Sequence, residues 1–111
     1  MKNLATQNVI GIIDYGLGNI FSIERAFEII GVDPVVVKSP EMLKGIEKIV
    51  LPGVGNFNEG INNLNNLGFS DYIQRHVESN GFILGICLGM QLLLTSSSEG
   101  GGAKGLDIIK G

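Results

Sequence analysis

The sequence has one cysteine, one histidine and no tryptophan among its 111 residues. A single cysteine cannot form an internal disulfide, so the sequence favours a reducing compartment. One cysteine and one histidine are also too few to build a zinc site, and we expect no metal and no cofactor. Acidic residues outnumber basic ones, with a net charge of −3, so the electrostatic footprint of a nucleic-acid-binding protein is missing.

Long apolar runs are missing as well. The longest uncharged apolar stretch covers about residues 82–94, which is shorter than the ~20 residues that a membrane-spanning helix needs. Residues 1–8 are polar and no cleavage pattern follows them, so no secretory signal is predicted. The sequence therefore predicts a cytoplasmic protein that associates with neither membranes nor nucleic acid.

Hydrophobic residues and glycine are what the sequence has in quantity. The hydrophobic fraction is 44%, which is enough for a packed core, and the length allows one small domain. The seventeen glycines follow no fixed period, so they indicate tight turns between secondary-structure elements. Four short apolar runs, rich in β-branched residues, are typical of parallel strands buried on both faces. They are Val9–Ile13, Val35–Val37, Ile49–Leu51 and Phe82–Ile86.

The segments between these runs have helical character. Ile20, Ile23, Phe27 and Ile30 share one helical face, Ser39-Pro40 predicts the start of a short helix, and Ser70-Asp71 predicts another. The alternation predicts an α/β fold: an open, mostly parallel, flavodoxin-like sheet flanked by helices and joined by right-handed crossovers.

The C-terminal residues suggest an unfinished sheet. Ser96–Gly102 is predicted to be a flexible loop, and Leu106–Ile109 is predicted to begin a fifth strand. Since the sequence stops at Gly111 as that strand finishes, we expect residues 1–111 to be the N-terminal part of a domain whose C-terminal half is absent. Such a chain should expose a sheet edge and self-associate.

The stretch Gly85–Gln91, which reads Gly-Ile-Cys-Leu-Gly-Met-Gln, follows the last apolar run directly. A Gly-x-nucleophile-x-Gly sequence between a strand and a helix is typical of a nucleophile elbow. Here the nucleophile would be the thiol of Cys87, and the N–H of Leu88 would face the oxygen of a carbonyl under attack. The alternative is a buried core cysteine flanked by packing glycines.

A second glycine-rich loop, Pro52-Gly53-Val54-Gly55, also follows a buried strand and should emerge at the same sheet edge. Its glycines free the backbone to aim an N–H into a cleft, as the other half of an oxyanion hole requires. The alternative is an ordinary turn between strand and helix. A third loop contains Gly16-Leu17-Gly18, but Phe21 occupies the position where a dinucleotide-binding fingerprint has its third small residue.

Together the Pro52–Gly55 and Gly85–Gln91 motifs resemble the triad-type (class I) glutamine amidotransferases. The opening stretch Ile13–Asn19, which reads Ile-Asp-Tyr-Gly-Leu-Gly-Asn, narrows the resemblance to the glutaminase subunits of imidazole glycerol phosphate synthase, in histidine biosynthesis. The resemblance runs from about Val9 to Gly111.

The resemblance implies a glutaminase that hydrolyses L-glutamine, with Cys87 as nucleophile and ammonia as product. It implies that Val54 and Leu88 supply the oxyanion-hole N–H groups, and that Gly55 and Gln91 hold the substrate. Ammonia would pass to a (β/α)₈-barrel cyclase partner, with Tyr15 and Asn19 at the interface.

The sequence departs from this family in one respect, because it has no His-Pro-Glu motif to supply the triad histidine and glutamate. His76, its only histidine, is predicted to lie at the opposite end of the Phe82–Ile86 strand, as a partly exposed helix residue. Two alternatives to a histidine-biosynthesis glutaminase therefore stay open. One is a glutaminase that serves a sugar-amidating synthetase in surface-polysaccharide synthesis, and the other is a non-catalytic partner-binding remnant.

Overall fold

The computed structural model describes residues 8–98 and 102–111, and these form four parallel strands with helices on the connections. The strands are β1 (Val9–Ile13), β2 (Asp33–Val37), β3 (Lys48–Leu51) and β4 (Phe82–Gly85). Their order in the sheet is β2-β1-β3-β4, and all three neighbouring pairs are parallel. The predicted open parallel α/β fold is confirmed, with strand boundaries that differ by one or two residues.

The helices explain how the chain returns to the start of each strand. Helix α1 (Ile20–Ile29) links β1 to β2, and a 3₁₀ helix (Pro40–Leu43) links β2 to β3. Two helices, α2 (Phe57–Leu67) and α3 (Phe69–Glu78), link β3 to β4, and the short α4 (Leu88–Leu92) follows β4. None of the described helices is long and apolar enough to cross a membrane.

Helix α2 was not predicted, and the helix predicted from Ser70 is α3, which begins one residue earlier. Gly68 separates the two helices in a left-handed conformation with φ +84°, which glycine adopts without steric cost. The side chain of Asn56 accepts a hydrogen bond from the N–H of Glu59 at 3.2 Å and so caps the start of α2.

The predicted fifth strand over Leu106–Ile109 is wrong for the described residues. The N–H groups of Leu106 and Ile108 donate to the carbonyls of Leu92 and Leu93, at 2.8 and 2.9 Å, and only a single parallel bridge joins Leu94 to Ile109. This segment therefore packs against the end of α4 instead of extending the sheet. Of the predicted loop 96–102, residues 99–101 lie outside the described residues, while the N–H of Ser97 donates to the carbonyl of Ala103 at 3.0 Å.

The core fills the sheet face that α2 and α3 cover. Ile13, Ile49 and Leu51 point to this face and are almost wholly buried, against side chains from both helices that include Phe57, Leu64, Phe69 and Ile73. The opposite face is covered less completely. There Phe82 and Leu84 of β4 are 63% and 53% exposed, beside a groove that Ile10, Phe27 and Val50 also line. The sheet thus has one finished face and one that is open at the β4 edge.

Candidate active site

Cys87 lies between the end of β4 and the start of α4, with its side chain exposed. Its backbone has φ +55° and ψ −121°, a conformation that residues other than glycine seldom adopt and that costs of order 1–3 kcal/mol. Such backbone strain is concentrated at functional sites. The structure therefore has the backbone geometry of the predicted nucleophile elbow, with the thiol exposed at the carboxyl edge of the sheet.

Two glycines make this turn possible because the backbone on either side of Cys87 passes very close to its neighbours. A Cβ on Gly85 would lie 2.7 Å from the Cα of Met90, and one on Gly89 would overlap the carbonyl oxygen of Leu51. Neither partner is the flexible end of a side chain, so no larger residue fits without moving the backbone. The flanking glycines in the Gly85–Gln91 motif thus have a steric reason.

The loop Pro52–Asn56 runs beside the elbow, as the two glycine-rich motifs predicted. Val54 is 57% exposed at its outer end, and Gly55 has φ +112°. The N–H of Leu88 donates to the carbonyl oxygen of Gly53 at 3.1 Å, so in this structure that N–H is paired with the loop and does not face the cleft. Sequence reasoning placed both groups at one edge of the sheet but missed this hydrogen bond.

The predicted substrate-binding residues lie on α4 and in the neighbouring loop Pro52–Asn56. Gln91 is half-buried on α4, and its N–H donates to the carbonyl of Cys87 at 3.3 Å, which places it one turn along the same helix. Gly55 lies in the loop, and a Cβ built there would meet nothing within 4 Å. The chain therefore leaves open space at Gly55, next to the exposed Val54.

The β1–α1 loop holds the two predicted interface residues, and they differ in exposure. Asn19 is exposed, and its side chain caps α1 by accepting from the N–H of Ser22 at 3.3 Å. Tyr15 is only 2% exposed, and its hydroxyl donates to the carbonyl oxygen of Pro52 at 2.6 Å. The side chain of Tyr15 is thus buried inside the fold, and its contact with a partner stays a prediction, whereas Asn19 offers an exposed surface.

His76 lies where the sequence predicted, at the edge of the sheet opposite Cys87. It is half-buried near the end of α3, and its Nε2 is 3.1 Å from the carbonyl oxygen of Phe82, the first residue of β4. Strand residues advance about 3.3 Å each, so the length of β4 separates this imidazole from the thiol by more than about 10 Å. His76 is not within proton-transfer distance of Cys87.

The sequence of the chain was compared with protein families and with known proteins. The family model for "Glutamine amidotransferase class-I" matches residues 11–105. Proteins named "Imidazole glycerol phosphate synthase subunit HisH" are 46% identical over 93% of this chain in Bacillus velezensis, and 46% identical over 90% of it in Chlorobium luteolum. Those matches cover 49% and 50% of the two relatives, so the chain spans about half the length of the curated relatives it matches.

A crystal structure of a glutamine amidotransferase has the same fold, with a TM-score of 0.69 and 22% identity. The match covers 78% of this chain and 45% of that one. The residues that the family model matches include both the Pro52–Gly55 loop and the Gly85–Gln91 elbow. The chain belongs to the class-I glutamine amidotransferase family.

Proposed function

We propose that this chain supplies the nucleophile and the oxyanion loop of a glutaminase. The observation that carries the proposal is the exposed thiol of Cys87 at a positive-φ elbow beside the loop Pro52–Asn56. Cys87 Sγ attacks the side-chain amide carbon of glutamine and forms an S–C bond. The C–N bond then breaks as the departing nitrogen takes up the proton that the thiol has lost, and this nitrogen leaves as ammonia. Water then hydrolyses the glutamyl thioester to glutamate and restores the thiol.

The oxyanion formed in both steps needs two N–H donors, which we assign to Leu88 and Val54. Since the Leu88 N–H is held by the carbonyl of Gly53, the peptide between Gly53 and Val54 must rotate to release it. The same rotation turns the N–H of Val54, which belongs to that peptide. Glycine at positions 53 and 55 gives the loop the freedom to make this change, and Gly55 and Gln91 then contact the bound glutamine.

The ammonia acceptor is assigned from the relatives. Both are named as subunits of imidazole glycerol phosphate synthase, at 46% identity, which supports a role in histidine biosynthesis over the surface-polysaccharide alternative. We propose that residues 1–111 form the N-terminal part of the amidotransferase domain and that its ammonia passes to a cyclase subunit with a (β/α)₈ barrel. The exposed Asn19 is the residue of the β1–α1 loop that we place at that interface.

The experiment that tests this function reconstitutes the site. The chain is co-expressed with the C-terminal half of the Bacillus velezensis relative and with a cyclase subunit. Glutamine-dependent formation of imidazole glycerol phosphate is then measured beside a Cys87→Ala control. Product that depends on Cys87 supports the assignment. Ammonia release without product would favour another acceptor, and no Cys87-dependent ammonia release in any such assembly would contradict the proposed glutaminase.

The exposure of the thiol gives a prediction for the chain alone. We expect iodoacetamide to alkylate Cys87 in the folded chain at least as fast as in the chain unfolded in urea, because the elbow leaves Sγ open to solvent. Mass spectrometry of timed samples gives both rates, and Cys87 is the only cysteine that can react. Protection of the thiol in the folded chain would contradict the elbow.

The open side of β4 gives a second prediction, that two copies of the chain associate there. An edge strand presents unpaired N–H and C=O groups, and β4 is at the end of the sheet, with Phe82 and Leu84 largely exposed beside it. Leu84→Lys should shift the chain toward monomer in light scattering, while Leu67→Lys, at an exposed leucine on α2, should not. A wild-type chain that stays monomeric at high concentration would disprove the association.

A further inference from the structure

Tyr15 connects the β1–α1 loop to the loop Pro52–Asn56 across 37 positions of sequence. Its hydroxyl donates a buried hydrogen bond of 2.6 Å to the carbonyl oxygen of Pro52. That carbonyl belongs to the peptide immediately before the one that pairs with Leu88. The phenol also abuts Gly53, where an added Cβ would overlap the Tyr15 hydroxyl oxygen. The side chain therefore contacts the loop at the two residues that precede Val54.

Tyr15 is itself held firmly, so it is suited to fix a neighbour. Its own carbonyl oxygen accepts from the Nδ2 of Asn63 on α2 at 3.0 Å, and its ring is part of the buried core. Burial raises the pKa of the phenol well above its ordinary value, so the hydroxyl keeps its proton and stays a donor at physiological pH. Gly18 of the same loop also lies beside Pro52, since a Cβ built on Gly18 would be in ordinary van der Waals contact with the proline ring at 3.5 Å.

The two successive peptides of the loop are thus held in different ways. The carbonyl of the Pro52–Gly53 peptide accepts from the buried Tyr15 hydroxyl, whereas the carbonyl of the Gly53–Val54 peptide accepts from the N–H of Leu88. Rotation about the Gly53 ψ and Val54 φ bonds turns the second peptide and leaves the first in place. A fixed first peptide makes that rotation bring the Val54 N–H to one defined position.

We propose that Tyr15 is a positioning residue for the oxyanion hole: its hydroxyl fixes the Pro52–Gly53 peptide as the pivot about which the Gly53–Val54 peptide turns. This inference rests on the proposed glutaminase function for its catalytic consequence, and on the two hydrogen bonds for its structural one. The role differs from the interface contact that the sequence suggested, because it is exercised from inside the fold.

The unmodified chain gives a first test through the motion of three backbone amides. In ¹⁵N relaxation dispersion, the amides of Val54 and Leu88 should show microsecond-to-millisecond exchange, because one belongs to the turning peptide and the other loses its acceptor. The Gly53 amide belongs to the fixed peptide and should show none. Exchange at Gly53 equal to that at Val54, or no exchange at Val54 and Leu88, would overturn the pivot.

The second test is Tyr15→Phe, which removes the hydroxyl and keeps the buried ring. In the reconstituted glutaminase we expect kcat to fall about tenfold with KM for glutamine unchanged, because one buried hydrogen bond that positions an oxyanion-hole donor is lost. The Gly53 amide should now join the exchange seen at Val54. The alkylation rate of Cys87 should stay the same, because the elbow is untouched, whereas general damage to the fold would alter it.

Tyr72→Phe is the matched control, since Tyr72 is the only other tyrosine and lies on α3. It should change neither kcat nor the exchange of the Gly53 amide. The proposal would be overturned if Tyr15→Phe left kcat unchanged and the Gly53 amide showed no exchange in relaxation dispersion. If no assembly hydrolyses glutamine, the proposed function fails, but the amide exchange in the wild-type chain still decides whether Tyr15 fixes the peptide.

Discussion

The 111-residue chain by itself is expected to release no ammonia from glutamine above the rate of its Cys87→Ala variant. Hydrolysis needs a nucleophile, an oxyanion hole and a base that carries protons to the departing ammonia. The chain supplies the thiol and the two candidate N–H donors. Its one histidine, His76, is bound at the start of β4, at the opposite edge of the sheet. No histidine of this chain is therefore placed to act as the base.

The expected loss is large because the members of a catalytic triad act as a unit. Removing the base from enzymes of this type costs several orders of magnitude in kcat, nearly as much as removing the nucleophile. The measurement is a coupled assay of ammonia release from glutamine, for the chain and for Cys87→Ala, each with and without a cyclase subunit. A His76→Gln variant is the matched control, and we expect it to leave the assay unchanged.

Two results would contradict this expectation in different ways. Turnover by the bare chain that Cys87→Ala removes and His76→Gln keeps would reveal another base near the elbow. Turnover that His76→Gln also removes would mean that the chain rearranges to bring the imidazole to the thiol. Activity that returns only when a relative's C-terminal half is supplied, and that still needs Cys87, is the result we expect.

The sheet and the elbow could be predicted from sequence because both are encoded locally. The apolar run Val9–Ile13 is typical of a buried parallel strand, and Gly85 and Gly89 flank Cys87 at the spacing that a strand-to-helix turn requires. The structure adds the steric reason, since both glycines face backbone atoms of neighbouring segments. A local sequence pattern predicts structure well when the same residues also determine how the segment packs against its neighbours.

Helix α2 was missed because composition and periodicity disagree there. The segment is rich in asparagine and contains Gly60, and both residue types are poor helix formers. Yet Phe57, Ile61 and Leu64 recur at helical spacing, and all three are buried against the core. Tertiary packing outweighs the low propensity, as it does in most helices of globular proteins. The periodicity was the signal that could have found the helix.

The burial of Tyr15 and the pairing of Leu88 could not be read from sequence, because each depends on a distant partner. The Tyr15 hydroxyl finds its acceptor in Pro52, and the Leu88 N–H finds its acceptor in Gly53. Both acceptors are backbone carbonyls, which leave no trace in the identity of a side chain. Sequence motifs thus placed the loop Pro52–Asn56 beside the elbow, whereas the hydrogen bonds that set the conformation of that loop required the structure.

The elbow also predicts the largest effect on stability, for Gly89→Ala. Alanine in a helix normally stabilises by up to about 1 kcal/mol relative to glycine, and Gly89 is the second residue of α4. Here the new Cβ would overlap the carbonyl oxygen of Leu51, a backbone atom of a buried central strand that cannot move aside as a side chain would. The steric cost of displacing such backbone exceeds the gain in propensity, so we expect a net loss of about 3 kcal/mol in the free energy of unfolding.

Gly60→Ala on α2 is the control that separates the gain in helix propensity from the steric cost of displacing backbone. It is also a helical glycine, but its Cβ would meet the ends of the Leu88 and Leu92 side chains at 3.2–3.3 Å, where it needs a shift of only a few tenths of an ångström and none from backbone. Urea unfolding followed by circular dichroism should place the Gly60→Ala midpoint near that of the wild type and the Gly89→Ala midpoint far below it. Equal midpoints for the two variants would mean that the backbone around Gly89 shifts as readily as the Leu88 and Leu92 side chains do. The close approach of Leu51 to Gly89 would then not be what fixes Cys87 at the edge of the sheet.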